Sequence, residues 1–563
     1  MLHLRTGIRV LASAIIVVAV CTARGSTGEA TAGGHQGGTM IVLTVSNPGT
    51  VDPAINYGTG WYELVITNDG LTAYRKAAGA AGTQLVPDLA TQLPTVTDGG
   101  LTYTFQVRRN IRYSNGTVLK PSDFRHVFER MFKVQGPTTG PFYSSIVGGS
   151  ACLAKPATCT FAKGIVANDA TYTLTFHLTQ PDAEFLDQLA LPFASAVPPS
   201  APNKDVGTNA LPGTGPYMWA GYTPNGQIKL VRNPYFKVWS DAAQPAGYPD
   251  VIVVKFGVPL ESEITEVENG QADWVASTTG LPPDRLNEIS TKYPAQTHVN
   301  LATAIYYMAL NTHVPPFNNL SARQAINYAT DHNALVKIMG GPNVAVPSCQ
   351  ILPPNFPGYV QYCPYTAHPA PGGHGPWTAP DLAKALRLVA ASGTKGEHVT
   401  IVNPTTPIGR STGLYFESLL NKLGYKATLK LLAPAVQDPY AKDSRHQVQI
   451  SFSVWYQDYQ AASDFLSVLT GCGSFQPGSG SQPNISEFCD PRIQALMNRA
   501  LRLEATDRAT ANVLWTQVDK EVTDQAPMVM MFNPTIIDFV SRRVGHYEFN
   551  PQWAFLPDQA WVQ

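Results

Sequence analysis

The chain has 563 residues, more than one hydrophobic core usually supports, so several domain-sized units are expected. Its 39 Lys plus Arg residues balance 40 Asp plus Glu residues, which argues against the broad basic surface of a nucleic-acid-binding protein. Charged residues make up only 14%, while Gly and Pro number 46 each, so we expect a folded protein with many defined turns.

Residues 1–21 have the pattern of a secretion signal. Arg5 and Arg9 flank the start of a mainly apolar run at residues 10–20, which is too short for a bilayer span of roughly twenty residues. The run ends at Cys21, where a bacterial lipoprotein signal keeps its acylated cysteine, although Val20 stands where that pattern prefers Gly, Ala or Ser. We predict a lipid anchor at Cys21. The alternative is a plain signal peptide cleaved nearby, which would remove Cys21 or leave it unmodified.

A flexible tether is predicted at residues 22–38, which are rich in Gly, Thr and Ala and almost free of apolar side chains. Beyond it, the cysteines fall into three sequence-close pairs: Cys152 with Cys159, Cys349 with Cys363, and Cys472 with Cys489. Each pair brackets a loop rich in Pro, Gly or Ser, so in an oxidising compartment we expect three disulfides. Metal binding is the weaker interpretation, because no pair has CxxC spacing and no His lies at zinc-finger distance.

The rest of the chain alternates between strand and helix patterns. Clusters of β-branched and aromatic residues predict strands at residues 39–46, 101–108, 171–178, 227–233, 250–258, 304–312, 398–404 and 447–455. Helical periodicity predicts helices at residues 121–132, 261–270, 321–340, 378–393, 413–424 and 491–522. Thr378 and Asp381 have capping-box spacing at the start of one helix, and Gly393 marks its end. A mixed α/β fold follows.

Residues 87–132 carry the first motif of a known family. The order "PDLA…DGGLTYTFQVRRNIRYSNGTVLKPSDFRHVFER" resembles a strand, turn and helix stretch of the extracellular solute-binding proteins of family 5, which serve oligopeptide, dipeptide and nickel transporters. Residues 213–239, "GTGPYMWAGYTPNGQIKLVRNPYFKVW", and the Pro-Pro-Phe turn followed by Arg323 and Asp331 match further elements of the same family. The likeness spans nearly the whole chain after the tether.

The resemblance implies a type II periplasmic-binding-protein fold, in which two hinged lobes enclose a cleft and an α/β accessory subdomain is inserted in lobe one. Mapped by motif, lobe one comprises residues 39–72, 191–301 and a returning segment at 530–563, the accessory subdomain residues 73–190, and lobe two residues 302–529. A solute held in the cleft contacts both lobes and therefore favours the closed form.

Asp458 is the leading ligand-binding candidate. In peptide-binding members, a segment similar to "SFSVWYQDYQAASDFLSVL" enters the cleft, and its aspartate, matched here by Asp458, pairs with the peptide α-ammonium. Burying an ammonium requires such an anionic partner. Trp455 and Tyr456 are expected to wall the site. Without the resemblance to the family, the preferred interpretation would be that Asp458 caps a loop and Trp455 packs in the core.

Two further residues are candidates by resemblance. Arg410, predicted to lie in a loop before a helix, matches a carboxylate-binding arginine of dipeptide-binding relatives, although an exposed surface arginine is the alternative. Asn311 belongs to the asparagine-bearing strand of the family pattern. Phe452 stands where some oligopeptide binders carry an arginine, which leaves the peptide length open.

The predicted function is that of an extracytoplasmic, lipid-anchored and monomeric substrate-binding protein that delivers short peptides to an ABC permease with ATPase subunits. No cofactor, metal site or catalytic residue is expected. The alternatives are another solute, either an oligosaccharide or a nickel chelate, or a secreted serine hydrolase with Ser411 in the GxSxG sequence of residues 409–413. A nucleophile elbow needs a strand leading directly to the serine, whereas Pro404 and Pro407 intervene here.

Overall fold

The computed structural model describes residues 35–44, 47–57, 60–140, 142–276, 283–480, 482–504 and 507–563. The predicted signal at residues 1–21, the lipid site Cys21 and tether residues 22–34 lie outside the described residues.

In the described residues the strands are β1 Thr39–Thr44, β2 Thr72–Tyr74, β3 Leu85–Pro87, β4 Thr95–Thr97, β5 Thr102–Gln106, β6 Ile165–Asn168, β7 Thr173–His177, β8 Tyr217–Tyr222, β9 Gln227–Arg232, β10 Val251–Phe256, β11 Trp274–Val275, β12 Thr297–Leu301, β13 Ala304–Leu310, β14 Ala345–Pro347, β15 His398–Pro404, β16 Lys426–Leu432, β17 Ile450–Tyr456, β18 Met528–Val540, β19 Val544–Gly545, β20 Phe549–Asn550, β21 Ala554–Phe555 and β22 Trp561–Val562.

The α-helices of the same residues are α1 Trp61–Thr67, α2 Pro121–Lys133, α3 Gly149–Ala154, α4 Phe185–Leu189, α5 Leu260–Glu268, α6 Pro283–Lys292, α7 Leu320–Ala329, α8 His332–Met339, α9 Leu382–Ser392, α10 Pro407–Leu423, α11 Pro434–Lys442, α12 Ser463–Thr470, α13 Pro491–Glu504 and α14 Arg508–Gln525. The mixed α/β class predicted from the sequence is confirmed.

Two helices predicted as continuous are each divided in two. The predicted helix 321–340 is α7 and α8, and Asp331 caps α8 by accepting a hydrogen bond from the Ala334 amide at 3.1 Å. The predicted helix 491–522 is α13 and α14, and Asp507 caps α14 in the same way. Aspartate favours such caps because its carboxylate satisfies a backbone N–H that the helix leaves free. Helical periodicity alone does not reveal these breaks.

The 12 described strands of the large sheet form two groups that share β18. In the first half-sheet the order is β8–β9–β10–β1–β11, followed by the C-terminal part of β18, which also pairs with β12. In the second half-sheet the order is β16–β15–β17–β13, followed by the N-terminal part of β18, which also pairs with β14. We call the parts built on them the first lobe (β1–β12, α1–α6 and β19–β22) and the second lobe (β13–β17 and α7–α14).

The chain crosses between the lobes in two places. It leaves the first lobe between β12, which ends at Leu301, and β13, which begins at Ala304, and it returns along β18. Two neighbouring crossover strands are the arrangement that permits hinge motion of two lobes. The residue bounds predicted for the domains stay predictions.

An antiparallel sheet of order β4–β5–β7–β6 forms a small unit within the first lobe, and α2 packs on it. The apolar residues Phe105 and Phe176 of the sheet are fully buried against Phe124 and Phe128 of the helix. This core follows from the period-two pattern of the strand and the helical spacing of the α2 residues. The N-terminus of α2 is closed by Asp123, whose carboxylate accepts from the Lys120 amide at 3.0 Å.

The three predicted disulfides are confirmed: Cys152–Cys159, Cys349–Cys363 and Cys472–Cys489. Each fastens a loop at the end of a helix or strand. Among the described residues, none of the helices combines the length and apolar composition required to cross a bilayer.

Candidate functional site

Asp458 lies just beyond the end of β17, at one edge of the second half-sheet. Strands β15 and β17 run parallel, so their carboxyl ends meet at this edge. Ala304, the first residue of β13, pairs with Tyr456, the last residue of β17, so the edge also adjoins the first crossover. The carboxyl ends of parallel strands are the usual ligand-binding edge of an open α/β sheet.

Asp458 is held by both lobes. Its amide donates to Asp464 Oδ2 at 2.8 Å, and its carbonyl oxygen accepts from Gln552 Nε2 at 2.9 Å. Its carboxylate oxygen Oδ1 accepts a hydrogen bond from the Tyr57 hydroxyl of the first lobe. Burial raises the pKa of Asp458 to about 6, while the Tyr57 hydrogen bond acts in the opposite direction.

Tyr57 is a partly exposed residue of the first lobe that contacts Asp458. Its side chain is 51% exposed, and its ring packs against Trp61 and Phe193 at centroid distances of 5.8 and 5.6 Å. Burial, followed by the charge of Asp458, raises the pKa of the Tyr57 phenol well above its usual value. The side chain therefore stays in contact with water while its hydroxyl is partly desolvated beside Asp458.

The two predicted wall residues face different ways. Tyr456 is 52% exposed, and its hydroxyl is 3.3 Å from that of Tyr306 on the neighbouring strand, so it contributes to the open surface. Trp455 is half-buried and packs against the second-lobe core that contains Phe465. Because successive side chains of a strand point to opposite faces, only one of the two can line a given side of the sheet.

Arg410 lies in the first turns of α10, and the prediction that it lies in a loop is wrong. Pro407 begins the helix, where proline is well accommodated, and Thr406 caps it by accepting from the Gly409 amide at 3.2 Å. Arg410 is exposed and forms no ion pair with another described residue. Helix α10 follows the carboxyl end of β15, which places Arg410 at the same sheet edge as Asp458. Ser411 is inside this helix and not at a strand-to-helix elbow.

Asn311 lies at the opposite end of the sheet. It follows Leu310, which pairs with Ile450, the first residue of β17. Its side chain donates to Glu487 Oε1 at 2.9 Å and accepts from the His313 amide at 3.0 Å. The structure therefore does not bring Asn311 to Asp458, and this candidate acts in shaping a turn.

The sequence analysis missed a set of acidic side chains beside Asp458. We call it the interlobe acidic group; it consists of Asp182, Glu184 and Asp187 of the first lobe and Asp458, Asp464 and Glu504 of the second. Burial is the main cause that raises the pKa of Asp182 to about 6, of Glu184 to about 7 and of Glu504 to about 8. Burial and the charge of Asp458 raise the pKa of Asp464 as well.

Several hydrogen bonds join the two halves of this group. The Tyr459 hydroxyl of the second lobe donates to Glu184 Oε2 of the first. The Tyr74 hydroxyl donates to Asp187 Oδ1 at 2.7 Å and accepts from the Gln460 amide of the second lobe at 3.0 Å. These partners are 113 to 386 residues apart, so no local pattern could have indicated them.

In the part of the chain that the structure describes, no group of three or more His, Cys, Asp or Glu side chains could hold a metal ion. What the site offers is an accessible carboxylate, tyrosine side chains and an exposed guanidinium at one sheet edge. Such a site can bind an organic solute without reacting with it.

The model of the family described as "Bacterial extracellular solute-binding proteins, family 5 Middle" matches residues 84–477. This chain belongs to that family. Family 5 members are extracytoplasmic solute-binding proteins, and the fold of this one is the type II periplasmic-binding-protein fold.

The relatives agree with the family assignment. Probable di/tripeptide-binding protein 5 of Pseudomonas aeruginosa (strain UCBPP-PA14) is 25% identical over 489 residues, which cover 83% of this chain and 85% of that protein. Periplasmic oligopeptide-binding protein OppA of Escherichia coli (strain K12) is 24% identical over 467 residues, 79% of each chain. The solved structure of clavulanic acid biosynthesis oligopeptide binding protein 2 has a TM-score of 0.82 at 24% identity, covering 94% of this chain and 96% of that one.

Proposed function

We propose that this family 5 protein captures short peptides between its lobes and delivers them unchanged to a membrane permease driven by ATPase subunits. The relatives named above as di/tripeptide- and oligopeptide-binding proteins support a peptide ligand. The observation in this chain that carries the proposal is Asp458, a half-buried carboxylate at the crossover edge that the first lobe already reaches through Tyr57.

Asp458 is suited to bind the α-ammonium of a peptide. An ammonium loses its hydration in a cleft and needs an anionic partner that is fixed in place. The hydrogen bonds of Asp458 to Asp464 and Gln552 fix its main chain, and its Oδ1 faces the opposite lobe. A ligand bound there contacts both lobes, and this differential contact favours the closed form.

The peptide carboxylate requires a cation at the other end of the ligand. Arg410 is exposed at the same sheet edge and can form two parallel hydrogen bonds with a carboxylate. Tyr456 and Tyr306, whose hydroxyls are 3.3 Å apart, provide a polar aromatic surface near the first crossover. Between the two charged ends, main-chain groups of the peptide can pair with protein backbone as an added strand.

The cellular setting is part of the proposal. We place the protein outside the cytoplasm as a monomer, held at the membrane by a lipid on Cys21. The membrane partner is an ABC permease, which receives the ligand from the closed lobes.

The test is a binding screen of the purified mature protein by isothermal titration calorimetry, with a library of di- to pentapeptides. An oligosaccharide and a nickel chelate are the controls. We expect peptides with free termini to bind and the controls to give no heat of binding. Binding of a control solute together with failure of all peptides would overturn the proposed ligand class.

A further inference from the structure

The interlobe acidic group has more carboxyl groups than the neighbouring cations pair with. Arg508 Nη2 lies 2.9 Å from Asp187 Oδ2, and this ion pair accounts for one of the six carboxylates. Among the described residues, none of the other five forms an ion pair. Carboxylates in such surroundings are stabilised either by protons or by a positively charged ligand.

Part of the group retains some solvent exposure. Glu184 and Asp458 are half-buried, whereas Asp464 between them is 1% exposed. Glu184 accepts a hydrogen bond from Tyr459, the residue that follows Asp458. The carboxylate of Glu184 is therefore one tyrosine side chain away from the main chain beside Asp458.

Buried acceptors in this region lack donors. Asp464 Oδ1 and Gln460 Oε1 have no hydrogen-bond partner in the described part of the chain. The Trp455 indole lowers the pKa of Asp464, but its Nε1 is also without a partner at hydrogen-bond geometry. Buried acceptors in folded proteins are nearly always satisfied, so Asp464 Oδ1 and Gln460 Oε1 point to a missing donor-rich group. An alkylammonium is such a group, because it has three donors and no acceptor.

We propose that the interlobe acidic group is a second cation subsite, and that the preferred peptide carries a basic side chain on its first residue in addition to its α-ammonium. The inference rests on the proposed function, in which Asp458 takes the α-ammonium. The ε-ammonium of a first-residue lysine then reaches towards Glu184. The matched charges make this ligand class specific, because a neutral side chain of equal length leaves the carboxylates uncompensated.

Protons compete with the second cation, which gives an independent signature. The titratable groups that face Glu184 are Asp182, Asp187, Asp464, Glu504 and Tyr459, and Arg508 acts on Asp187 and Glu504. Because burial raises the pKa of Glu184 to about 7 without a ligand, a bound ammonium displaces a proton near neutral pH. Binding of a lysine peptide should therefore release more protons than binding of its neutral analogue.

The experiment compares lysyl-alanine with norleucyl-alanine, whose side chain is similar in length and uncharged, by calorimetry at neutral pH in two buffers of different ionisation enthalpy. We expect lysyl-alanine to bind about tenfold more tightly, a difference of about 1.4 kcal/mol. In Glu184→Gln this preference should fall to about twofold and the extra proton release should disappear. Glutamine resembles a protonated glutamate in shape, so the variant is expected to fold, which thermal unfolding checks. Glu261→Gln, an exposed change on α5, is the matched control and should behave as the wild type.

A second arm compares 1,5-diaminopentane with 1-aminopentane, so that the subsite is also tested without a peptide. Equal binding of the two peptides by the wild type would overturn the second subsite and leave the peptide function intact. Preferential binding of the diamine with no binding of either peptide would support the subsite and overturn the peptide function. Binding of neither class would overturn both.

Discussion

The Tyr57 hydroxyl of the first lobe donates a hydrogen bond to the Asp458 carboxylate of the second, across 401 positions of sequence. The carboxylate oxygen that would receive a ligand ammonium is thus occupied by a side chain of the opposite lobe. A ligand that takes this oxygen replaces a contact between the lobes with one that it makes itself. A bound ammonium and the opposite lobe therefore use the same acceptor atom, Asp458 Oδ1.

We expect Asp458→Asn to weaken the binding of peptides with free amino termini by 30-fold or more, about 2 kcal/mol, because the ammonium loses its anionic partner. Calorimetry with a peptide and its N-acetylated form measures the effect. The acetylated form has no ammonium and should lose little. Equal losses for both forms would remove Asp458 from the role of ammonium partner.

Peptide affinity should rise with pH and level off above about pH 6. A bound ammonium lowers the pKa of Asp458 below its ligand-free value of about 6, so binding below that pH releases a proton. Tyr57 and Asp464 face this carboxylate, and burial together with the charge of Asp458 raises the pKa of each above its usual value. Calorimetric titrations at pH 5, 6 and 7 should show that peptide affinity increases by about tenfold from pH 5 to pH 7. The Asp458→Asn variant should show little of this dependence, and a steep rise in that variant would assign the proton to another group.

Tyr57→Phe should shift the ligand-free protein towards the open form. The change removes one hydrogen bond between the lobes, worth about 1 kcal/mol net, and keeps the ring that packs on Trp61 and Phe193. Small-angle scattering of the ligand-free protein should report a larger radius of gyration. Tyr456→Phe is the matched control, because its hydroxyl contacts Tyr306 within one lobe. An unchanged radius in Tyr57→Phe would show that this bond does not hold the lobes together.

Removing the Cys472–Cys489 disulfide should cost more stability than removing Cys152–Cys159. The two bridges close loops with sequence separations of 17 and 7 residues. By restricting the unfolded chain, they are expected to stabilise the fold by about 3 and about 2 kcal/mol, respectively. Urea unfolding of the paired Cys→Ser variants measures this order. A reductant should lower the stability of the wild type towards that of the variants. The reverse order would mean that strain or residual structure, and not loop length, decides the effect.

Much of the fold follows from local sequence pattern. Alternation in the strands and helical spacing in α2 are consequences of backbone geometry, and they determine which residues of each element turn inwards. The three disulfides were predictable because the paired cysteines are close in sequence. The local pattern fails at Asp331 and Asp507, where a cap divides a periodic stretch.

Less of the candidate site than of the fold could be predicted from the sequence. Asp458 could be selected from its own segment by resemblance to a family, but its environment could not, because Tyr57 and Glu184 come from the other lobe. Resemblance also selected Asn311, which the structure places at the opposite end of the same half-sheet, beyond the end of the neighbouring strand β13.

The sequence by itself thus indicated most of the helices and strands, the family, and Asp458 as a candidate ligand-binding residue. Each of these depends on a pattern of contiguous residues. Only the tertiary structure decided which groups share the cleft, because the two crossovers bring together side chains that no local interaction relates. The raised pKa values of the interlobe acidic group belong to this second class, since burial between two lobes is their main cause.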